Sequence, residues 1–209
     1  SIEGNKIVVD TADGTNNSAA GGGVVASGGS FTMTGGSISK NSCSMSNGGG
    51  LYVTTPTVVT LTGGKITENT AASGGGVYVA SSTAGGEELH LSGSPYIANN
   101  TATTSPDVLL TSRGNNSVRV ITLDGALTSG AHIGVQRADS TTVIAKAANG
   151  YTVTDNDAAY FIYSDDSKLV QKDATENKLV LAEKEEGKTY STVTLNLPPH
   201  VKADRALTC

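Results

Sequence analysis

The sequence Gly-Gly-Gly-Leu-Tyr-Val at residues 48–53 decides the fold, because it recurs at nearly equal spacing. The related copies are Gly-Gly-Gly-Val-Val-Ala at residues 21–26 and Gly-Gly-Gly-Val-Tyr-Val at residues 74–79, so the starts differ by 27 and 26 residues. A repeat of this length has too few apolar residues to close a core alone. The period therefore indicates a solenoid, in which each repeat stacks on its neighbours.

A second motif alternates with the glycine triplets and ends in asparagine. It reads Gly-Gly-Ser-Ile-Ser-Lys-Asn at residues 35–41 and Gly-Gly-Lys-Ile-Thr-Glu-Asn at residues 63–69, and a looser copy ends at Asn100. Apolar and polar residues alternate in the short segments between glycines, which is typical of strands with one buried face. Glycine and asparagine between the strands are expected to supply corners with positive φ.

These features predict an all-β fold, a parallel β-helix with three short strands per turn stacked about 4.8 Å apart. We expect it to cover residues 1–182 and to end in an irregular, charged C-terminal cap. Residues 183–209 are predicted to be a linker and a tail strand at residues 190–197, which either belongs to this fold or starts a following domain. The expected inward columns are Val24, Leu51, Val77, Val108 and Ile133, and Phe31, Val59, Leu89 and Ile121.

Three asparagines fall at equivalent positions, and we expect Asn41, Asn69 and Asn100 to stack as a ladder at one corner. Their amides would satisfy backbone groups that a corner leaves unpaired. In the next strand Cys43 aligns with Ala71, so it is predicted to be small, buried and unmodified. A disulfide to Cys209 is not expected.

Composition excludes several classes of function. The formal net charge is −5 and lysines and arginines do not cluster, which argues against nucleic acid, since phosphate neutralisation needs a basic face. The longest apolar runs are far shorter than the ~20 residues of a spanning helix, so we expect no membrane insertion. The three histidines are not spaced to share a face with a carboxylate, which predicts no metal site and no cofactor.

Three acidic pairs are candidates for catalysis, because polysaccharide lyases and hydrolases on β-helices use clustered acids. They are Asp155/Asp157, Asp165/Asp166 and Glu87/Glu88. The first pair lies in the predicted cap, and we interpret the acids as solvated residues. The turns are also short, whereas an enzyme of this class needs long loops that wall a cleft. A carbohydrate-active enzyme or its inactive remnant remains the alternative hypothesis.

One outward face is the candidate binding surface. If the first column points inward, its neighbours Val25, Tyr52, Tyr78 and Leu109 must point outward, because successive strand side chains alternate. A contiguous exposed apolar stripe usually marks a partner. The alternative is that the tail strand at residues 190–197 covers it.

A second outward column bears on ice binding, which requires a regular array of threonines. Thr32, Thr60 and Thr122 form such a column, but His90 interrupts it. His90 itself is expected to be solvated. Ice binding is therefore the weakest of the hypotheses.

The two motifs resemble those of large bacterial surface proteins with right-handed β-helix repeats. They are similar to the GGA[ILV] and FxxN repeats of chlamydial polymorphic membrane proteins, with Ile38, Ile66 and Ile97 where that family has Phe. The resemblance implies a right-handed helix in an extracellular or cell-surface fragment of a larger secreted bacterial protein. It further implies a non-catalytic, adhesin-like or spacer module that binds a host protein or glycan, with the oligomeric state left open.

Overall fold

A computed structural model describes residues 1–5, 21–80, 88–112 and 119–185. Apart from one short helix, its regular elements are strands. They are β1 (Ile2–Glu3), β2 (Val24–Ser39), β3 (Ser42–Asn47), β4 (Leu51–Thr67), β5 (Thr70–Ser73), β6 (Val77–Val79), β7 (Glu88–Gly93), β8 (Tyr96–Ile97), β9 (Thr101–Thr104), β10 (Val108–Leu110), β11 (Ile121–Leu127), β12 (His132–Arg137), β13 (Val143–Ala147), α1 (Asp155–Ala158), β14 (Phe161–Tyr163), β15 (Lys168–Lys172) and β16 (Lys178–Glu183).

Parallel pairing stacks the strand segments of successive turns into columns, which makes the fold a β-solenoid. The first column joins the starts of β2 and β4 to β6, β10 and the end of β12. The second joins the middles of β2 and β4 to β7, β11 and β13. The third joins β1, the ends of β2 and β4, β8, the start of β12 and β14. A fourth, short column of β3, β5 and β9 forms a separate sheet.

The core lies inside these columns and is almost entirely aliphatic. The predicted order Val24, Leu51, Val77 and Val108 is confirmed in the first column. The order Phe31, Val59, Leu89 and Ile121 is confirmed in the second. Leu51, Val59, Leu89 and Ile121 are each at most 1% exposed. Regular inward aliphatic residues at each level therefore hold the turns together.

The placement of Ile133 in the first column is wrong. Val108 pairs with Val135, whereas Ile133 pairs with Ile97 and Phe161 in the third column. Both Ile133 and Val135 point inward, and a shift of two residues preserves the alternation of faces, so the hydrophobic pattern could not distinguish the two registers. In β12 the third column continues straight into the first, without the corner found in earlier turns.

The C-terminal end departs from parallel stacking, as expected for a cap. β16 pairs antiparallel with both β13 and β15. The strands predicted at residues 161–163, 168–170 and 178–181 are present, but the one predicted at residues 151–153 is not, and α1 follows that segment instead. The boundary at residue 182 stays a prediction, and the tail strand at residues 190–197 lies outside the described residues.

The asparagine ladder is present and runs in one direction. The backbone N–H and the amide Nδ2 of Asn41 both donate to Oδ1 of Asn69, each at 3.0 Å. Asn69 donates in the same way to Asn100, at 3.0 and 2.9 Å. Asn5 extends the ladder at its N-terminal end, and Asp107 ends it by accepting from Asn100 at 3.1 and 2.8 Å.

The residues with positive φ are not these asparagines but the residues before them. Lys40, Glu68 and Asn99 have φ of 58°, 58° and 60°. This corrects the expectation that the ladder asparagines themselves occupy the left-handed region. The left-handed residue turns the chain, which directs the following asparagine inward, where Asn41 and Asn69 are at most 1% exposed.

The third glycine of each triplet packs against this ladder. A Cβ on Gly50 would lie 2.8 Å from Nδ2 of Asn69 and 2.7 Å from the carbonyl oxygen of Gly76. Gly23 meets Asn41 and Gly76 meets Asn100 in the same way. The two repeated motifs are therefore one structural device, since the glycine makes room for the asparagine.

Cys43 is fully buried, as predicted. It pairs with Ala71, as the alignment predicts, and Ala71 pairs with Ala102, so three small residues form one row of the fourth column. Burial raises the pKa of the Cys43 thiol against the opposing hydrogen bonds from Ser46. Cys209 lies outside the described residues.

Candidate functional site

The predicted outward column is in register. Val25 pairs with Tyr52, Tyr52 with Tyr78, and Tyr78 with Leu109. Val25 is 50% exposed, and the two tyrosines are partly exposed. We call Val25, Tyr52 and Tyr78 the tyrosine stripe. It crosses three consecutive turns on the outer side of the first column.

The two rings of the tyrosine stripe stack face to face. The ring centroids of Tyr52 and Tyr78 are 5.5 Å apart and the planes differ by 4°. Parallel strands at adjacent levels hold the two rings one rung apart, which explains the nearly parallel planes. As a result the faces that lie between the rings are covered, and the stripe presents ring edges to the solvent.

Both tyrosines of the stripe are neutral hydrogen-bonding groups near pH 7. Burial raises the pKa of Tyr52. Burial and the neighbouring Tyr52 raise the pKa of Tyr78, and the charge of Arg119 partly opposes this. Each hydroxyl can therefore donate and accept a hydrogen bond beside an apolar body.

Leu109 does not belong to the exposed stripe. It continues the column next to Tyr78, but only 3% of it is exposed. Arg119, itself 4% exposed, lies close enough to Tyr78 for its charge to act on that hydroxyl. Strand periodicity predicts the face of the sheet on which Leu109 lies but not what covers that face.

His90 is bracketed by two carboxylates, which sequence reasoning missed. Its Nε2 lies 2.8 Å from Oε2 of Glu88, and its Nδ1 lies 2.7 Å from Oδ1 of Asp124. His90 lies on the outer side of its strand, as expected, but only 18% of its side chain is exposed. A signal was available, because Glu88 lies two residues before His90 on the same strand face. We call Glu88, His90 and Asp124 the histidine bracket.

One member of each acidic pair weighed for catalysis is engaged in a hydrogen bond or an ion pair. Asp157 is 1% exposed and accepts hydrogen bonds from Leu127 N, Tyr151 Oη and both the N–H and the hydroxyl of Thr154. Burial opposes its ionisation, but these donors prevail and lower its pKa. Asp165 accepts from Ser167 in an exposed turn, and Glu88 belongs to the histidine bracket. Glu87 lies outside the described residues.

Two hollows on the described surface bear on the hydrolase hypothesis, which requires a pair of free acids. One of about 350 Å³ is lined by Gly35, Gly36, Gly64, Lys65, Ser94, Tyr96 and Gly130, without a carboxylate. The other, of about 290 Å³ beside the cap, contains Asp139 and Glu183. Arg137 holds Asp139 at 2.8 Å, and Lys168 lies 3.4 Å from Glu183. Neither hollow presents a free acid pair.

The described ranges bear on two further kinds of site, for a metal ion and for a membrane. Among those residues, no three histidine, cysteine or acidic side chains are placed to hold a metal ion. Within the same part of the chain, no helix has the length and apolarity to cross a bilayer.

Comparison of the chain with protein-family models, curated proteins and solved structures found no match. The function is therefore inferred from the residues and their geometry.

Proposed function

We propose that this chain is a non-catalytic extracellular surface module, adhesin-like or spacer-like, that binds a partner through the tyrosine stripe. The observation that carries the proposal is the continuity of Val25, Tyr52 and Tyr78 on three consecutive turns. Aromatic residues with polar tips are enriched at the centres of protein interfaces, and here two of them are adjacent. Asp157, Asp165 and Asp139 support a non-catalytic role, since their oxygens are engaged in a helix cap, a turn and an ion pair.

A protein partner suits this stripe better than a glycan. Sugar rings bind aromatic residues by lying on the ring face, and Tyr52 and Tyr78 cover one face of each other. What the stripe offers is a row of ring edges, two neutral hydroxyls and the apolar side chain of Val25. This combination fits the backbone and side chains of a flat protein surface.

Binding through the stripe is tested with a charged substitution at its most exposed position. Val25→Glu places a charge in the interface centre and should weaken attachment at least tenfold, because the carboxylate must be desolvated. Ile162→Glu is the matched control, since Ile162 is 46% exposed on another strand, outside the stripe. The immobilised protein is screened against a panel of cell-surface proteins and glycans, and the bound partner is then titrated with both variants.

The outcomes separate the hypotheses. Loss of binding with Val25→Glu alone supports the stripe. Equal binding by both variants contradicts it, and a glycan as the sole partner overturns the preference for a protein. Release of reducing sugar from a polysaccharide in the same panel would support the enzyme alternative.

A further inference from the structure

The histidine bracket joins two turns of the solenoid on its outer surface. Glu88 and His90 belong to β7, and Asp124 belongs to β11 of the next turn. His90 pairs with Thr60 on one side and with Thr122 on the other. Its ring therefore lies over the second column, with a carboxylate at each nitrogen.

The number of protons on the ring follows from this geometry. A neutral imidazole has one N–H group and one acceptor nitrogen, so it can donate to one carboxylate only. The unprotonated ring nitrogen would then face an oxygen of the second carboxylate at less than 3 Å, although both atoms are acceptors. An imidazolium has two N–H groups and can donate to both Glu88 and Asp124. Both short contacts are satisfied only when His90 carries a proton on each nitrogen.

Among the described residues, no lysine or arginine lies at contact distance from His90, where it would compete for the two carboxylates. On the β4 side it faces Thr60, and Val58 faces Glu88. On the β11 side it faces Thr122, with Asp124 on the diagonal. Lys146 of β13 lies one strand further, opposite Thr122.

We propose that His90 is a proton-dependent staple between the turns that contain β7 and β11. Protonated, it ties Glu88 to Asp124 across the strands. Deprotonated, it releases one carboxylate and leaves two acceptors opposed. The coupling between these turns is thus stronger in mildly acidic than in alkaline solution.

The electrostatics of the ring agree with this direction. Burial lowers the pKa of His90, but the hydrogen bonds and charges of Glu88 and Asp124 outweigh burial, so that the pKa is raised above its ordinary value of 6.5. Because the folded pKa exceeds the unfolded one, the stabilisation is fully present below about pH 6.5. It is lost as the pH rises through the folded pKa.

The test is a histidine titration by NMR on the intact chain. In the wild type, His90 should titrate above an unfolded-peptide histidine, and His132, whose pKa burial lowers, should titrate below it. Glu88→Gln and Asp124→Asn should each reduce the proton affinity of His90 roughly tenfold, the effect of losing one adjacent opposite charge. Asp166→Asn, which removes a carboxylate outside the bracket, should leave it unchanged. His132→Gln and His200→Gln assign the signals.

A second measurement follows the linkage to stability. The free energy of unfolding, measured with urea, should fall more between pH 6.0 and pH 9.0 in the wild type than in His90→Gln. The glutamine side chain cannot be protonated in this range. A wild-type His90 that titrates at or below the unfolded value overturns the proposal. So does a titration that neither Glu88→Gln nor Asp124→Asn alters, and this result needs no folded His90 variant.

Discussion

At the scale of single residues, each corner of the solenoid divides its requirements between two neighbours. The first residue adopts positive φ and turns the chain, as Glu68 does. The second, Asn69, is fully buried and bonds to the turns on both sides. Between ladder members, each asparagine donates to the next one toward the C-terminus and accepts from the one before it, so the last member needs only to accept. A carboxylate, which has no donor, fits that position, and Asp107 occupies it.

Replacing the central asparagine tests the ladder. Asn69→Ala removes the acceptor for the N–H and Nδ2 of Asn41 and the donor to the carbonyl of Ile38. Buried donors without an acceptor each cost about 1 to 3 kcal/mol, so we expect a loss of about 3 kcal/mol in urea unfolding. The control is Asn99→Gly at an exposed position with φ of 60°, where glycine relieves strain. A loss of similar size in both variants would contradict a specific role for the ladder.

The acidic end of the ladder gives a pH dependence. Burial raises the pKa of Asp107 above its ordinary value, despite the opposing donors on Asn100 and the charge of His132. A carboxyl whose folded pKa is raised favours folding while protonated, and this contribution is lost as the pH rises from about 4 through the folded pKa. Asp107→Asn keeps an acceptor oxygen without the charge.

We therefore expect Asp107→Asn to be more stable than the wild type at pH 7. The variant should also lack the loss of stability that ionisation of Asp107 causes between pH 3.5 and pH 7. Urea unfolding across that range measures it. Asp107→Ala, which removes the acceptor of the backbone N–H of Asn100, should be less stable than both. A wild type that gains stability relative to Asp107→Asn as the pH rises would reverse the assigned sign.

The three ladder asparagines could be predicted from the sequence, but Asp107, which ends the ladder, could not. Asn41, Asn69 and Asn100 recur within a visible period, and buried hydrogen bonding at corners is a property of that residue type. Asp107 lies outside the period, seven residues after Asn100 in the same turn. Its role depends on Gly134, where a Cβ would collide with the Asp107 carboxylate. Such a contact joins a residue just before β10 to a glycine inside β12, and alternation carries no information about it.

At the scale of elements, the spacing of glycine and asparagine fixes the register, and the apolar pattern fixes only the face. The predicted columns therefore agree with the structure through Val108 and Ile121, while the placement of Ile133 does not. The glycine triplets end at residue 76, and in β12 the apolar pattern fits two registers that differ by two residues. The tyrosine column keeps the predicted register through Leu109 and differs from the prediction only because Leu109 is buried.

The packing of the third glycine tests this account. In Gly50→Ala the new Cβ meets the carbonyl oxygen of Gly76 at 2.7 Å and Cγ2 of Ile66 at 2.8 Å, so strands β4 and β6 must separate. We expect a loss of about 2 to 3 kcal/mol in urea unfolding, as for overpacked cores. Gly35→Ala is the matched control, because its Cβ meets nothing within 4 Å. Equal stability of the two variants would show that the triplet is not a packing device.

At the scale of the whole molecule, stability depends on contacts between adjacent turns, because each turn touches only its neighbours. Strands in the middle of the stack are therefore bonded on both edges, and β7 lies between β4 and β11. At the C-terminal end the antiparallel pair of β15 and β16 replaces the parallel ladder, and β15 pairs with β16 alone among the described strands. The solenoid is thus asymmetric, with an interior that opens only when turns separate and a terminal strand that can open by itself.

Amide hydrogen exchange should report this asymmetry directly. Opening β15 breaks its pairing with β16 and exposes few buried residues, whereas opening β7 breaks two parallel ladders and exposes Leu89 and Leu91, which are 1% and 0% exposed. We expect the bonded amides of β7 to exchange only through global unfolding and those of β15 to exchange at least a hundredfold faster, since local opening of a terminal strand costs much less free energy. The comparison uses hydrogen-bonded amides of both strands at one pH. Equal protection of β7 and β15 would mean that the cap and the solenoid unfold as one cooperative unit, and the nearest-neighbour description of this fold would be wrong.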